Sequence, residues 1–215
     1  GLSLLETGSG SSGVALATNY GRTMHHAHRD MLNFDLFAFG HWLTPDLGYP
    51  EFATNIPSVT EWTRSTISHN VVFVNKQPQR SVWSGHTRLF KQLKDFGVVE
   101  LDGRAAYPDL KEYSRTLFLA GGTGSTDSNA YVIDIFRVKG GKDHVFSFHG
   151  PPGTVNTSGL RLQVQEKGSY AGVDIVKGTK ASGFPQGYSF LYNVEKDSRP
   201  PNQFIADWKA ASGYR

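Results

Sequence analysis

Residues 24–39 read Met24-His25-His26-Ala27-His28-Arg29-Asp30-Met31-Leu32-Asn33-Phe34-Asp35-Leu36-Phe37-Ala38-Phe39, and this run sets the fold class. From Leu32 onward large apolar side chains fall on every second residue, the period of a half-buried strand and not of a helix. Carried backward, the same period places His26, His28 and Asp30 on the face of Leu32, Phe34 and Leu36, each step spanning ~6.6 Å. Any one of these histidines alone reads as a surface residue. The run as a whole points to a metal or catalytic site, because three aligned titratable groups cost more to bury than one.

Period-2 patterns recur from Val14 to Thr18, Asn70 to Asn75, Gly97 to Leu101, Ser114 to Leu119, Tyr131 to Val138, Val145 to Phe148, Leu160 to Val164 and Tyr188 to Val194. Pieces rich in Gly, Ser, Asp and Pro separate them, among them 8–13, 121–129, 140–143 and 150–153. Short strands at this spacing predict an all-β chain folded as a sandwich, in one domain over 1–215. Aromatics at 13% and 24 glycines suit strands and tight turns better than helix bundles. The best helical candidate is short, Phe204 to Ala211.

No cysteine is present, so disulfides and thiolate metal sites are excluded and any metal must be sought among eight histidines and the carboxylates. A net charge of +3 without Lys/Arg runs supports a weak preference for an anionic partner and no nucleic-acid footprint. No apolar stretch approaches the ~20 residues of a membrane helix, and the chain does not open with a signal-peptide pattern. It begins at Gly1, not Met, which reads as a fragment or a processed product.

Two more segments join the histidine run. Trp42-Leu43-Thr44-Pro45-Asp46-Leu47-Gly48-Tyr49 sets a carboxylate at a glycine turn, and Arg64-Ser65-Thr66-Ile67-Ser68-His69-Asn70-Val71-Val72 sets a histidine at the mouth of an apolar strand. Two ligand sets are compatible with this spacing. His28, Asp30 and His69 would form the two-histidine, one-carboxylate triad of an Fe(II) oxygenase. His28, Asp46 and His69 would hold Zn2+ with one ligand from each of three successive segments, tying them together much as a disulfide does.

The strings His26-Ala27-His28-Arg29-Asp30, Asp46-Leu47-Gly48-Tyr49 and Arg64-Ser65-Thr66-Ile67-Ser68-His69-Asn70 resemble the ordered motifs His-x-His-x-Asp, Asp-x-Gly-Tyr and Arg-Ser-Thr-x-x-His-Asn of the heparinase II/III-like polysaccharide lyases. Tyr131 to Val138 and Phe146 to Gly150 resemble strands downstream in that family. The likeness runs from about residue 10 to 150. It implies an antiparallel β-sandwich that follows an N-terminal α/α toroid absent from this chain, and cleavage of acidic, uronate-containing polysaccharides of the alginate or glycosaminoglycan kind by β-elimination. It also implies zinc on His28, Asp46 and His69, with His26 facing the substrate, and a secreted or periplasmic bacterial enzyme.

Such an elimination needs a group to mask the uronate carboxylate, a base, and a proton donor. His26 is the one candidate here, and the resemblance puts the catalytic tyrosine and the carboxylate-binding residue on the toroid. Tyr49 either lines the cleft or packs at its turn. Arg64 either contacts an anionic sugar or pairs with Glu61 or Asp46, and Asp30 is expected to orient a histidine. Two functions from other classes compete with the lyase: a non-catalytic carbohydrate-binding or scaffold module, and the Fe(II) oxygenase, which is disfavoured because no cosubstrate-binding arginine pattern accompanies it.

Overall fold

The computed structural model describes residues 1–24, 27–48, 58–121 and 130–211. The chain forms β1 (Leu2–Thr7), β2 (Val14–Asn19), β3 (Phe34–Ala38), β4 (His41–Trp42), β5 (Val72–Val74), β6 (His86–Gln92), β7 (Phe96–Asp102), β8 (Glu112–Gly121) and β9 (Ala130–Lys139), with buried and more exposed side chains alternating most regularly in β1 and β2. Shorter or more exposed strands complete the chain: β10 (His144–Phe146), β11 (Gly153–Ser158), β12 (Gln163–Val164), β13 (Glu195–Lys196) and β14 (Ile205–Ala210).

Two antiparallel sheets, ordered β1-β2-β3-β4 and β6-β7-β8-β9, face one another. Their inner faces supply one core, in which Leu5, Leu16 and Phe34 of the first sheet meet Leu101, Tyr113, Leu117 and Leu119 of the second, none more than 3% exposed. Each such burial contributes roughly 1.5–3 kcal/mol. The sheets approach closely where a side chain is missing: a Cβ on Gly121 would lie 2.1 Å from Thr7 Oγ1. Two-stranded pairs β10-β5, β11-β14 and β12-β13 follow. A second small core of Ile67, Phe73 and Tyr188 joins β5 to the C-terminal region.

The all-β sandwich is therefore as the alternation foretold, with differences of detail. Residues 204–211 are not helical. Ile205–Ala210 forms β14, paired with β11 from Gly153↔Ala210 to Ser158↔Ile205, while Trp208 covers Gly150. A helix this short has little stability of its own, so strand pairing overrides it. Tyr188–Phe190 is a 3-10 turn and not a strand. Most consequential for the site, the strand expected from His26 through Leu36 begins only at Phe34, because Leu32 takes φ 70 and Met31 and Leu32 are both fully buried. Alternation stops where two successive side chains must both point inward.

Candidate metal centre

His28, Asp46 and His69 converge although the chain reaches each by a different device. His28 lies in the irregular stretch before β3. Gln79 fixes that stretch: its Oε1 accepts from Met31 N–H at 2.7 Å and its Nε2 donates to the Met31 carbonyl at 3.0 Å. Asp46 follows β4 in a turn where its Oδ1 accepts from Gly48 N–H at 2.8 Å, and Gly48 adopts φ 66, which costs glycine nothing. Its approach is set by Thr44, whose hydroxyl accepts from Leu36 N–H at 2.8 Å. His69 ends the 3-10 turn Thr66–Ser68 just before β5.

Among their side chains, His28 Nδ1 is 3.1 Å from His69 Nε2 and 3.4 Å from Asp46 Oδ1, and His69 Nε2 is 3.2 Å from Asp46 Oδ2. His69 is 2% exposed and His28 7%. The Ser65 carbonyl oxygen lies 2.7 Å from His69 Nδ1. A carbonyl only accepts, so Nδ1 carries the proton and the neutral ring turns the Nε2 lone pair toward Asp46 and His28. Asp30 completes a group whose ligand atoms lie within 4.8 Å of one another.

Charge in this group is unbalanced. Burial works against the Asp46 carboxylate, yet the His28 and His69 rings beside it outweigh burial and hold the group well below its usual range. Burial pushes Asp35 up to about 6, with help from the Asp46 and Asp30 charges, and burial raises Asp30 as well. For His69 burial disfavours the cation, but Asp46 and Asp30 prevail and lift the imidazole above its ordinary value. His28 Nε2, Asp30 Oδ1 and Asp46 Oδ2 are buried without a hydrogen-bond partner. Three crowded carboxyls, two imidazole nitrogens turned toward each other and the unsatisfied oxygens of Asp30 and Asp46 are conditions that a bound cation relieves, and the donor set suits one.

Asp46, not Asp30, is the carboxylate against both histidines. Asp30 accepts from Asn19 Nδ2 at 2.8 Å and does not orient either ring; the Ser65 carbonyl does that for His69. His26 and Tyr49 lie outside the described residues. Arg64 sits half-buried beside the turn that carries His69, and its carbonyl accepts from Arg29 N–H at 3.3 Å. Neither acid expected to pair with it is idle: Glu61 accepts from Ala181 N–H at 3.2 Å, and Asp46 faces the histidines.

Asn70, which closes the third motif, His149 and, outside any motif, Arg115 hold the frame. Asn70 Oδ1 accepts from His149 N–H at 2.6 Å, and Asn70 N–H donates to Asn33 Oδ1 at 2.9 Å. His149 Nε2 lies 2.8 Å from the Ile67 carbonyl and 2.8 Å from Ser147 Oγ, bracing the turn behind His69. Arg115, wholly buried on β8, grips Asp134 on β9 at 2.8 and 2.6 Å and donates through Nη1 to the carbonyls of Leu32, at 2.7 Å, and Asn70. A charged residue on the inward face of β8, matched by an opposite charge on β9, was the available signal.

Comparison with known proteins agrees with the motifs. A family profile described as "Heparinase II/III-like, C-terminal" matches residues 14–195. The comparison with curated proteins finds no match. Among solved structures, a heparinase III (the BT4657 gene product) is similar over 78% of this chain and 26% of its own length, with TM-score 0.60 and 17% identity. The heparan sulfate lyase HepC from Pedobacter heparinus is similar over 99% of this chain and 33% of its own, with TM-score 0.58 and 16% identity. These likenesses concern the fold. The chain spans about a quarter to a third of those proteins.

Proposed function

We propose, since this chain belongs to the heparinase II/III-like family as its C-terminal portion, that it is the zinc-carrying β-sandwich of a lyase that cleaves uronate-containing polysaccharides by β-elimination. The convergence of two imidazoles and one carboxylate, drawn from three segments, carries this reading. A tetrahedral zinc ion with bonds of ~2.0–2.1 Å separates its ligand atoms by ~3.3 Å, whereas octahedral geometry at the same bond lengths brings them to ~2.9 Å. His28 Nδ1 lies 3.1 Å from His69 Nε2, and Asp46 presents Oδ1 at 3.4 Å to the first and Oδ2 at 3.2 Å to the second, separations in the range that ligands of one ion span. The same contacts favour Asp46 over Asp30 as the carboxylate ligand and so speak against the oxygenase triad.

Bound there, zinc would supply a structural cross-link between segments that otherwise meet through packing. The protein's own groups would do the chemistry. His26 is proposed to act on the substrate as a catalytic group, and Tyr49 and Arg64 to line its path, with Arg64 meeting an anionic sugar. The remaining catalytic groups are assigned to a helical toroid joined to this domain. Alginate-like and glycosaminoglycan-like uronates are the substrate class, and export from the bacterial cell, to where such polymers are met, belongs to the same reading.

The test has two parts. Elemental analysis of purified protein should give about one zinc per chain; iron together with 2-oxoglutarate turnover would point to the oxygenase. Absorbance of the unsaturated uronate, followed with a panel of acidic polysaccharides, should appear when the sandwich is joined to its helical partner domain. A joined protein that holds zinc yet yields no unsaturated product from any uronate polymer would sink the lyase assignment.

A further inference from the structure

Beside the metal centre lies a recess of about 190 Å³ lined by Ala27, Arg29, Thr60, Arg64, Ser81 and Gln186. No carboxylate is among these residues. The backbone bond from Arg29 N–H to the Arg64 carbonyl, 3.3 Å, fastens its two cationic residues to each other. Through the same bond the chain that carries His28 is held to the turn that carries His69, so the recess and the metal centre share one frame. On its other side Arg29 borders a second recess of about 400 Å³, which extends past Gln77 and Arg80 and contains one carboxylate, Asp109.

Arg29 is the informative residue. It is half-buried, and among the described residues no carboxylate pairs with it, whereas Arg88, Arg104 and Arg115 are each neutralised by Glu100, Asp102 or Asp134. A partly desolvated guanidinium without a counter-charge is a cost that folding alone does not repay. Nor does the metal require it, because position 29 is the unspecified one in His-x-His-x-Asp. Arg64 borders the same recess, and an anion with two or more acceptor oxygens supplies the counter-charge that Arg29 lacks. The planar fork of arginine matches sulfate and carboxylate oxygens in a bidentate way that lysine does not.

We propose that Arg29 and Arg64 form an oxyanion subsite for a sulfate or carboxylate substituent of an acidic polysaccharide lying across the metal centre. The inference rests on the polysaccharide reading above and adds to it a specific point of charge recognition. Oxyanion binding here is site-directed and not the general attraction of a basic surface, so losing the partnerless Arg29 matters far more than losing an exposed arginine such as Arg199.

Calorimetric titration of the full chain tests this with three probes: a sulfated uronate-containing oligosaccharide, its chemically desulfated form and its carboxyl-reduced form. Arg29→Gln should weaken binding of the sulfated probe about tenfold, the effect of losing one charge-assisted contact, and Arg29→Lys should recover only part of it. Metal content and melting temperature should stay at the wild-type values, since Arg29 touches neither ligand set nor core. Loss confined to the sulfated probe identifies sulfate as the bound group. Loss that persists on desulfation and disappears on carboxyl reduction identifies the carboxylate. Wild-type affinity of Arg29→Gln for all three probes, an equal loss in Arg199→Gln, or no binding by the wild-type chain would each overturn the subsite. Because binding is read without turnover, Arg29-dependent affinity in a protein that never cleaves would leave the subsite standing and remove the lyase reading; cleavage with Arg29-independent affinity would do the reverse.

Discussion

His69 concentrates more structural obligations than any other side chain in the centre. It is 2% exposed, its Nδ1 is committed to the Ser65 carbonyl, and its Nε2 meets Asp46 and His28. Replacement by alanine removes a ligand, leaves a cavity and strands a buried carbonyl, a combination that costs roughly 3–5 kcal/mol. His69→Ala should therefore bind no zinc and melt on the order of 10 °C lower; unchanged metal content and melting temperature would remove His69 from the site. His149 makes a pH-dependent contribution of its own. Burial pulls it below its ordinary value, so the folded protein prefers the neutral ring. Its stabilising effect is complete above the unfolded value near pH 6.5 and is lost as the pH falls through the lower folded value. His69, shifted upward, works in the opposite sense in the metal-free protein, so the useful quantity is a difference. Melting temperature should fall less between about pH 7 and pH 5 in His149→Gln than in the wild type. Parallel profiles would show that the His149 ring does not titrate against folding.

At the scale of elements, the strand pair β8-β9 reaches out of the second sheet and takes hold of the metal frame. Arg115 carries the connection: Asp134 neutralises it, Phe34 and Phe136 flank the guanidinium at 4.4 and 5.2 Å, and the Leu32 and Asn70 carbonyls receive its remaining hydrogens. Leu32 follows the His28 stretch and Asn70 follows His69, so one side chain sets both approaches to the candidate metal site. Arg115→Met leaves a buried Asp134 unpaired and should cost about 3–5 kcal/mol in a denaturant titration. It should also weaken zinc binding at least tenfold, as loss of groups that orient ligands generally does. Metal affinity equal to wild type, measured under conditions where the variant is folded, would confine Arg115 to the core. Such a residue was hard to read from sequence because Ser114-Arg115-Thr116 looks like an interruption of a strand face, and its partner Asp134 lies on the neighbouring strand β9. By contrast β2, β7, β8 and β9 were legible, since each is rich in apolar and β-branched residues and is bounded by turn-forming residues. β1 was missed because its inner face is Ser3, Leu5 and Thr7, β6 because all seven residues are exposed, and β14 because only its pairing with the distant β11 makes it a strand. The ligand trio was legible as three motifs. The irregular path from His28 to Leu32 was not, because the two inward-pointing side chains Met31 and Leu32 are dictated by Gln79 and by the second sheet.

For the molecule as a whole, the metal centre lies outside the main core and draws on chain that flanks it. The segments of His28 and Asp46 bracket β3 and β4, and the segment of His69 enters β5, which pairs with β10 and not with either large sheet. Apart from the Arg115–Asp134 pair the interface between the large sheets is largely apolar and closes without any ion, with Leu5, Leu16, Leu101, Leu117 and Leu119 all 0% exposed. Two levels of stability follow. A metal present at about a thousand times its dissociation constant adds ~4 kcal/mol to the folded state, which is all lost to a chelator. The loss should be local before it is global, since regions open independently when few apolar contacts hold them. Hydrogen exchange on the chelated protein should therefore show faster exchange at Gly48, Arg29 and Asn70, whose amides are held by Asp46, Arg64 and Asn33, while Leu117 and Leu119 in β8 keep wild-type protection. Uniform acceleration across both sheets would mean that the ion supports the sandwich itself; no acceleration at the three site amides would mean that the segments are held by packing alone and that zinc is not their cross-link.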